Sequence, residues 1–194
     1  MRKPVKYALV AAALAALVAV LVFVNLPAKR AASGAEVSEQ AASSDLAIGA
    51  RVGEQLPDFT VECLDGSAFS LRQQRGKVVV INLWATWCGP CVQELPNFDR
   101  LQREHPTDAA VLAVHTSSVT KDVPAYLSAY SYEIPFAVDE DGSLGALLNA
   151  SNALPQTIIL DPDGVVTYNQ PGALSYETLL ALVAEAANRS CNEN

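Results

Sequence analysis

Runs of apolar residues alternate with polar turns along the chain, and their spacing predicts the secondary structure. Two runs, 78–84 and 111–115, are apolar at nearly every position, which is typical of strands buried on both faces. Shorter runs flank Asp65-Gly66 and the turn at 161–164, and these patterns predict two hairpins. The remaining predicted strand segments are 56–64 with 67–71, 136–139, and 157–160 with 165–168.

Segments with helical spacing separate these strands. The first follows the strand at 78–84 and runs from Cys88 to about Glu104, with an expected kink at Pro96. The other predicted helices are 123–132, 143–149 and 175–188, the last with Ser175 as its N-cap. The order of strands and helices predicts an α/β domain in which helices cover both faces of a central mixed sheet.

Twenty uncharged residues, 7–26, precede all of these elements. Twenty helical residues span about 30 Å, which is enough to cross the apolar core of a bilayer. Basic residues lie before this segment, in 1–6, and positive charge favours the cytoplasmic side. We therefore expect a cytoplasmic tail over 1–6, a single-pass transmembrane signal-anchor in the cell membrane over 7–26, a flexible tether over 27–50 and an extracytoplasmic domain over 51–190. The alternative is a cleaved signal peptide, which usually has a shorter apolar region.

The charges of the chain are distributed unevenly about residue 30. All 21 acidic residues but only 8 of the 13 basic ones lie beyond it, which gives the expected external part a net charge of −13. The phosphates of nucleic acids require a basic surface, so this excess argues against a nucleic-acid partner. A solvated acidic surface that aids solubility explains the charge without a specific basic partner.

Cys88 and Cys91 lie just after the first buried strand, at the predicted start of a helix. The free N–H groups and partial positive charge of a helix N-terminus stabilise a thiolate. At this spacing one sulfur can attack a disulfide while the other waits one turn away to resolve the mixed disulfide. The pair therefore predicts dithiol–disulfide exchange. The sequence contains no second Cys-x-x-Cys and no His-x₃₋₅-His, which a structural zinc would need, so we expect neither a metal nor a cofactor.

Four stretches of the chain form a specific combination of motifs. They are 52–59, then 76–91 ending in Trp-Cys-Gly-Pro-Cys, then Glu-Leu-Pro at 94–96, and Leu-Pro-Gln-Thr at 154–157 before an Asp-Gly turn. Together they resemble the thioredoxin superfamily, and more closely the membrane-anchored, extracytoplasmic thiol–disulfide oxidoreductases of the TlpA and ResA type. The resemblance implies a thioredoxin-like fold with an N-terminal β-hairpin extension, and with an insertion between the active-site helix and the strand that carries a cis-proline.

The resemblance also implies roles for individual residues. Cys88 would be the exposed nucleophile and Cys91 the buried resolving thiol. Pro155 would be the cis-proline that faces the cysteines and receives the substrate peptide as an added strand. The auxiliary residues would be those around the two cysteines, with the neighbouring tryptophan shielding and orienting the site: Trp87, Gly89 and Pro90.

Asn82 and Glu94 mark a departure from thioredoxin itself. Asn82 stands where thioredoxin has a buried aspartate, and an asparagine cannot accept a proton, so that role is vacant or has moved. Glu94, three residues after Cys91 on the same helical face, is the candidate replacement. Its carboxylate could raise the pKa of a thiol or shuttle its proton. The alternative is a first-turn glutamate that stabilises the helix dipole.

Three other residues could carry chemistry. His115, at the end of a predicted strand, is expected to be a strand-end residue with satisfied hydrogen bonds rather than a ligand. Cys63 lies in the N-terminal hairpin and Cys191 in a polar tail. Outside the cell the two could form a second disulfide, and two free thiols are the alternative.

The direction of the exchange reaction is suggested by the dipeptide between the cysteines. Gly-Pro matches thioredoxin, which favours a protein-disulfide reductase. The resemblance then implies protein disulfides as substrates, a membrane partner that passes electrons from the cytoplasm, and cytochrome c maturation as one task, and we expect a monomer. Two alternatives stay open: a disulfide-donating oxidant of the same fold, and a non-catalytic copper-binding or scaffold domain.

Overall fold

The computed structural model describes residues 46–116 and 123–190. The expected cytoplasmic tail, transmembrane anchor and most of the tether lie outside these ranges, as does Cys191. Within the two ranges, no helix is both long and apolar enough to cross a membrane. The anchor therefore stays a prediction from the sequence.

The described residues form strands and helices in the predicted order. The strands are β1 (Thr60–Glu62), β2 (Ala68–Ser70), β3 (Val78–Trp84), β4 (Ala109–His115), β5 (Phe136–Val138), β6 (Gln156–Leu160) and β7 (Val166–Pro171). The helices are α1 (Gly89–Glu104), α2 (Val123–Leu127), α3 (Ser143–Leu147) and α4 (Tyr176–Ser190), and a 3₁₀ helix spans Leu71–Gln74.

The central sheet has the strand order β5-β4-β3-β6-β7. Strands β3, β4 and β5 are parallel, whereas β6 is antiparallel to both β3 and β7, so the predicted mixed sheet is confirmed. All seven residues of the middle strand β3 are buried, as its uninterrupted apolar run predicts. The predicted N-terminal hairpin is also confirmed: β1 and β2 pair in a separate two-stranded sheet with Gly66 in the left-handed region of its turn.

Alternate residues of β3 face two apolar clusters, one on each side of the sheet. Val80 and Trp84 pack on the side of α1 and α4, with Leu95 and Phe98 of α1. Residues 79, 81 and 83 pack on the opposite side, with residues of the N-terminal hairpin, the 3₁₀ helix and α3. The two clusters pack on opposite faces of β3, the strand that leads to the cysteines, and so fix the position of the site.

The helix predicted over 123–132 is much shorter in the structure. Helix α2 ends at Leu127, and the Ala129 and Tyr130 amides donate to carbonyls only three residues back, as in Tyr130 N–H to Leu127. The Tyr130 ring stacks on the Tyr132 ring with centroids 5.3 Å apart, and Tyr132 in turn packs on Phe136 at 5.6 Å. A helix would turn residues 130 and 132 away from each other, so aromatic packing explains the early end.

Candidate active site

The site begins where β3 ends. Trp84 is the last residue of β3, and its carbonyl accepts the Thr116 N–H at 3.1 Å just after the neighbouring strand β4. The chain then turns, with the Cys88 N–H donating to the Ala85 carbonyl at 3.1 Å, and α1 starts at Gly89. Cys88 is the N-cap of α1, and its Sγ accepts the Cys91 N–H at 3.3 Å. The predicted placement of the cysteines at a helix start is confirmed.

Cys88 and Cys91 are joined by a disulfide with their Cα atoms 5.3 Å apart. Cys91 is fully buried, as expected, and Cys88 is 5% exposed. The expectation of an exposed Cys88 is therefore wrong for this oxidised structure, because both residues pack into the cluster that contains Trp84 and Leu95. Cys88 is still the more accessible of the two, which suits it to meet a partner disulfide.

Gly89 and Pro90 lie between the two cysteines, and Trp87 directly precedes Cys88. Gly89 and Pro90 form the first two positions of α1, where a proline costs no hydrogen bond because those amides have no intrahelical partner. The Gly89 backbone has open space where a Cβ would lie. Trp87 is 67% exposed, so most of its indole is available to an approaching protein.

Glu94 lies one turn of α1 beyond Cys91, and its side chain is buried at 2% exposure. Its Oε1 accepts from Asn82 Nδ2 at 2.7 Å, and its Oε2 accepts the Leu174 N–H at 2.8 Å. Burial raises the pKa of the carboxyl group to about 7, although both hydrogen bonds act in the opposite direction. The carboxyl group can therefore take up or release a proton near neutral pH. A first-turn residue that stabilises the helix dipole would not be buried in this way.

Asn82 is a hydrogen-bond partner of Glu94 that the spacing of residues along α1 could not identify. It lies on β3, is fully buried and holds the Glu94 carboxylate through its Nδ2. Its Oδ1 has no hydrogen-bond partner among the described residues. The position that thioredoxin fills with an acid is thus occupied by an amide, which positions a carboxyl group supplied by α1.

Pro155 is buried and follows a cis peptide bond with Leu154. It immediately precedes β6, whose first residue, Gln156, pairs with Leu83 near the end of β3. The Pro155 carbonyl accepts the Gly172 N–H at 2.8 Å. The segment after β7 therefore contacts both the proline, through Gly172, and Glu94, through Leu174.

Asn97 is a residue of this region that sequence reasoning missed. Its Nδ2 donates to the Leu174 carbonyl at 3.0 Å, so Leu174 is bonded to α1 through both its N–H and its carbonyl. The signal was present in the sequence, because Asn97 lies three residues after Glu94 on the same helical face.

His115 is buried at the end of β4, next to the turn that leads to Cys88. Its Nε2 accepts the Thr86 N–H at 3.3 Å, whereas Nδ1 has no partner among the described residues. Burial lowers the pKa of the imidazole, which keeps the ring neutral. We expected a strand-end histidine with its hydrogen bonds satisfied, and one of the two ring nitrogens has such a bond. Its ring packs edge-on against Trp84 at 5.2 Å.

Cys63 is buried in the turn of the N-terminal hairpin, and its thiol is free in the structure. Burial raises the pKa of this thiol, which disfavours the reactive thiolate. Because Cys191 lies outside the described residues, a disulfide between the two stays a prediction.

Comparison with known proteins places the chain among redox proteins of this fold. The Redoxin family profile matches residues 51–183. The chain is 39% identical over 122 residues to the thioredoxin-like protein YneN of Bacillus subtilis, which covers 61% of this chain and 71% of YneN. It is 30% identical over 132 residues to the thiol-disulfide oxidoreductase ResA of Halalkalibacterium halodurans, which covers 65% of this chain and 72% of ResA.

A solved structure supports the same assignment. The pneumococcal exposed lipoprotein thioredoxin Etrx1 from Streptococcus pneumoniae superposes with a TM-score of 0.61 at 26% identity, covering 66% of this chain and 99% of Etrx1. The thioredoxin-like fold expected from the sequence is therefore confirmed. The chain belongs to the redoxin family and is a thiol–disulfide oxidoreductase.

Proposed function

We propose that this oxidoreductase acts as a disulfide reductase on partner proteins outside the cytoplasm. The observation that carries the proposal is the buried carboxyl group of Glu94, one turn beyond Cys91 on the inward face of α1. A carboxylate close to a thiol disfavours the thiolate by charge repulsion and so makes the reduced dithiol less stable. A less stable dithiol gives up its electrons more readily, which is the property of a reductant.

The residues between the cysteines support the same direction. Gly89 and Pro90 carry no charge that would stabilise a Cys88 thiolate, and Pro90 has no N–H to donate. The helix start itself supplies the Cys91 N–H to the Cys88 sulfur. A strong oxidant needs a reduced form that is stabilised much further than this.

The exchange proceeds in two steps. The Cys88 thiolate attacks one sulfur of the partner disulfide, so that a mixed disulfide forms and one partner thiolate leaves. Cys91 then loses its proton to the Glu94 carboxylate, and its thiolate attacks the Cys88 sulfur. The second partner thiolate leaves, the Cys88–Cys91 disulfide forms, and two electrons have passed to the partner.

Pro155 is the residue at which the partner chain docks in this proposal. It is buried before β6, and a chain that pairs with the backbone ahead of it would run past the end of β3, where the cysteines begin. Trp87, exposed directly before Cys88, would cover the docked chain.

The location and the electron source are proposed from the sequence. Basic residues precede the apolar segment 7–26, which supports a membrane anchor with the catalytic domain outside. An oxidising compartment would keep Cys88 and Cys91 joined, so a membrane partner has to supply electrons from the cytoplasm. Reduction of haem-attachment cysteines in cytochrome c maturation is one task that fits this position.

The reduction potential of the Cys88–Cys91 couple tests the direction. We expect a value near about −270 mV or lower, as for thioredoxin, in a glutathione or dithiothreitol titration of the full chain in detergent. A value near about −120 mV, as for the oxidant DsbA, would reverse the direction and make the protein a disulfide donor.

A further inference from the structure

Gln156 directly follows the cis-proline and carries a buried side chain that the exchange mechanism does not use. It is 2% exposed. Its Oε1 accepts the Ser151 N–H at 2.6 Å, and its Nε2 donates to the Asn149 carbonyl at 3.3 Å. Both partners lie in the exposed segment 149–153, which leads through Leu154 to the cis-proline. One side chain on β6 therefore holds this segment at two points.

Asn169 extends the contact to the neighbouring strand. Gln156 Nε2 also donates to Asn169 Oδ1 at 2.6 Å. Asn169 Nδ2 in turn donates to the Ala50 carbonyl at 2.8 Å and to the Leu148 carbonyl at 3.2 Å. The two amides, which we call the amide pair, join β6, β7, the end of α3 and the start of the domain. A partly buried network with these bonds made holds its surroundings in one arrangement.

The other hydrogen bonds of the segment run to α3 or stay within the segment: the Asn149 and Ala150 amides donate to the Ala146 and Gly145 carbonyls at 3.2 and 2.8 Å. Asn149 adopts a left-handed conformation with φ of 53°, which asparagine tolerates well and which is common just after the C-cap of a helix, here α3. Beyond it, the Ser151 Oγ donates to the Ala153 carbonyl at 3.0 Å, a bond within the segment itself. Fixation of the segment to the sheet therefore rests on Gln156.

The amide pair lies on the sheet face away from the redox chemistry. Gln156 pairs with Leu83, which packs into the cluster opposite α1. The next residue, Thr157, pairs with Asn82 and so shares the face on which Asn82 bonds to Glu94. A change in the amide pair can therefore alter the segment before Pro155 without contacting the disulfide or the buried carboxyl group.

We propose that Gln156 and Asn169 are positioning residues for substrate docking, because they hold segment 149–153 in the shape in which Pro155 receives the partner chain. This inference rests on the proposed docking role of Pro155. A segment that is ordered before binding loses less conformational freedom when a partner docks, so the amide pair lowers KM for protein disulfides. Small disulfides need no docked chain and gain nothing from it.

The test compares a protein disulfide with a small one. The full chain in detergent is first reduced and then freed of reductant, so that it is the only electron source when insulin or the aromatic disulfide DTNB is added. The rate of this single turnover is followed against disulfide concentration, with the half-saturating concentration as KM and the limiting rate as kcat. Gln156→Leu is expected to raise KM for insulin by about 3- to 10-fold, the effect of losing one or two hydrogen bonds. The kcat with insulin, the rate with DTNB and the reduction potential are expected to stay unchanged.

Gln102→Leu is the matched control. The Gln102 Oε1 accepts the Val111 N–H at 2.9 Å, toward the end of β4 remote from the cysteines. This variant removes a side-chain amide that also holds a backbone N–H, and it is expected to leave KM for insulin unchanged. An unchanged KM in Gln156→Leu would overturn the proposal. So would equal losses with insulin and DTNB, or a shifted potential, because these indicate general damage to the site.

Hydrogen exchange gives a readout that does not depend on turnover. The Ser151 amide is expected to be protected in the wild type and to lose that protection in Gln156→Leu, whereas the Ala150 amide, bonded to the Gly145 carbonyl at 2.8 Å, keeps its own. Asn169→Leu is expected to raise KM in the same way, and the double variant to be no worse than the poorer single variant. If Gln156→Leu does not fold, KM for insulin and hydrogen exchange are measured on Asn169→Leu instead. An unchanged KM in that variant then overturns the proposal.

Pro155→Ala separates this inference from the proposed function. A raised KM for insulin in Pro155→Ala with no effect of Gln156→Leu would leave Pro155 as the docking residue and overturn the role of the amide pair. If neither variant raised KM, docking at Pro155 itself would be wrong, and the inference with it.

Discussion

Glu94 and Asn82 place two hydrogen-bonded polar side chains inside an apolar core, with Glu94 one turn of α1 beyond Cys91. The spacing of Cys91 and Glu94 predicts that they share a face of α1, and the structure confirms this. The partners of Glu94 could not be predicted in the same way, because Asn82 is 12 residues away and Leu174 is 80 residues away. These contacts arise only when β3 and the segment after β7 meet on α1.

The raised pKa of Glu94 makes the stability of the oxidised protein depend on pH. The carboxyl group has an ordinary pKa of 4.5 and a folded value of about 7, so the folded state holds its proton more tightly than the unfolded state. The stabilising protonated form is fully present below pH 4.5 and is lost as pH rises through 7. Relative to Glu94→Gln, the wild type is expected to lose about 3 kcal/mol of unfolding free energy between pH 4.5 and 8.

Denaturant unfolding of the oxidised protein at several pH values measures this difference. Glu185→Gln, at an exposed position of α4, is the control and is expected to leave the pH dependence of the wild type in place. A Glu94→Gln variant with the same pH dependence as the wild type would show that the buried carboxyl group does not titrate in this range.

At the scale of elements, the sequence predicts best where a single apolar pattern decides the structure. Strand β3 has the predicted bounds because all seven of its residues are buried, which requires a covering layer on each face of the sheet. Helix α2 is shorter than predicted because its end is set by the packing of tyrosine rings on residues further along the chain. Helical spacing carries no information about such contacts.

Helix α1 is joined to the segment before β5 by Asp99. The buried carboxylate accepts the Glu133 N–H at 2.5 Å and the Ile134 N–H at 3.4 Å, and it pairs with the half-exposed Arg103 at 2.6 Å. Asp99→Ala leaves two amides without an acceptor and is expected to cost about 2–4 kcal/mol of unfolding free energy. Asp99→Asn keeps an oxygen for these amides and loses only the ion pair, so about 1 kcal/mol is expected.

Chemical denaturation of both Asp99 variants checks this account of the helix contact. The difference between them isolates the contribution of the two amides from that of the ion pair. Equal losses in the two variants would mean that the Asp99 oxygen does not support the segment before β5.

At the scale of the whole molecule, the predicted anchor determines where the domain works. Residues 7–26 are expected to keep the full chain in the membrane fraction after alkaline carbonate extraction, because about 30 Å of apolar helix crosses the bilayer core. A chain that lacks residues 7–26 is the control and is expected in the soluble fraction. Recovery of the full chain from the soluble fraction would favour the cleaved signal peptide.

Both edge strands of the central sheet are bonded by other parts of the chain. Cys63 pairs with Ala137 of β5 through an isolated antiparallel β-bridge. At the opposite edge, the Val166 N–H of β7 donates to the Glu54 carbonyl at 2.9 Å. An uncovered edge invites self-association, since it accepts any extended chain. Docking of partner chains against the backbone, as proposed for Pro155, would make this risk larger. Edge residues that are bonded within the chain thus help to separate transient docking of a partner from irreversible aggregation.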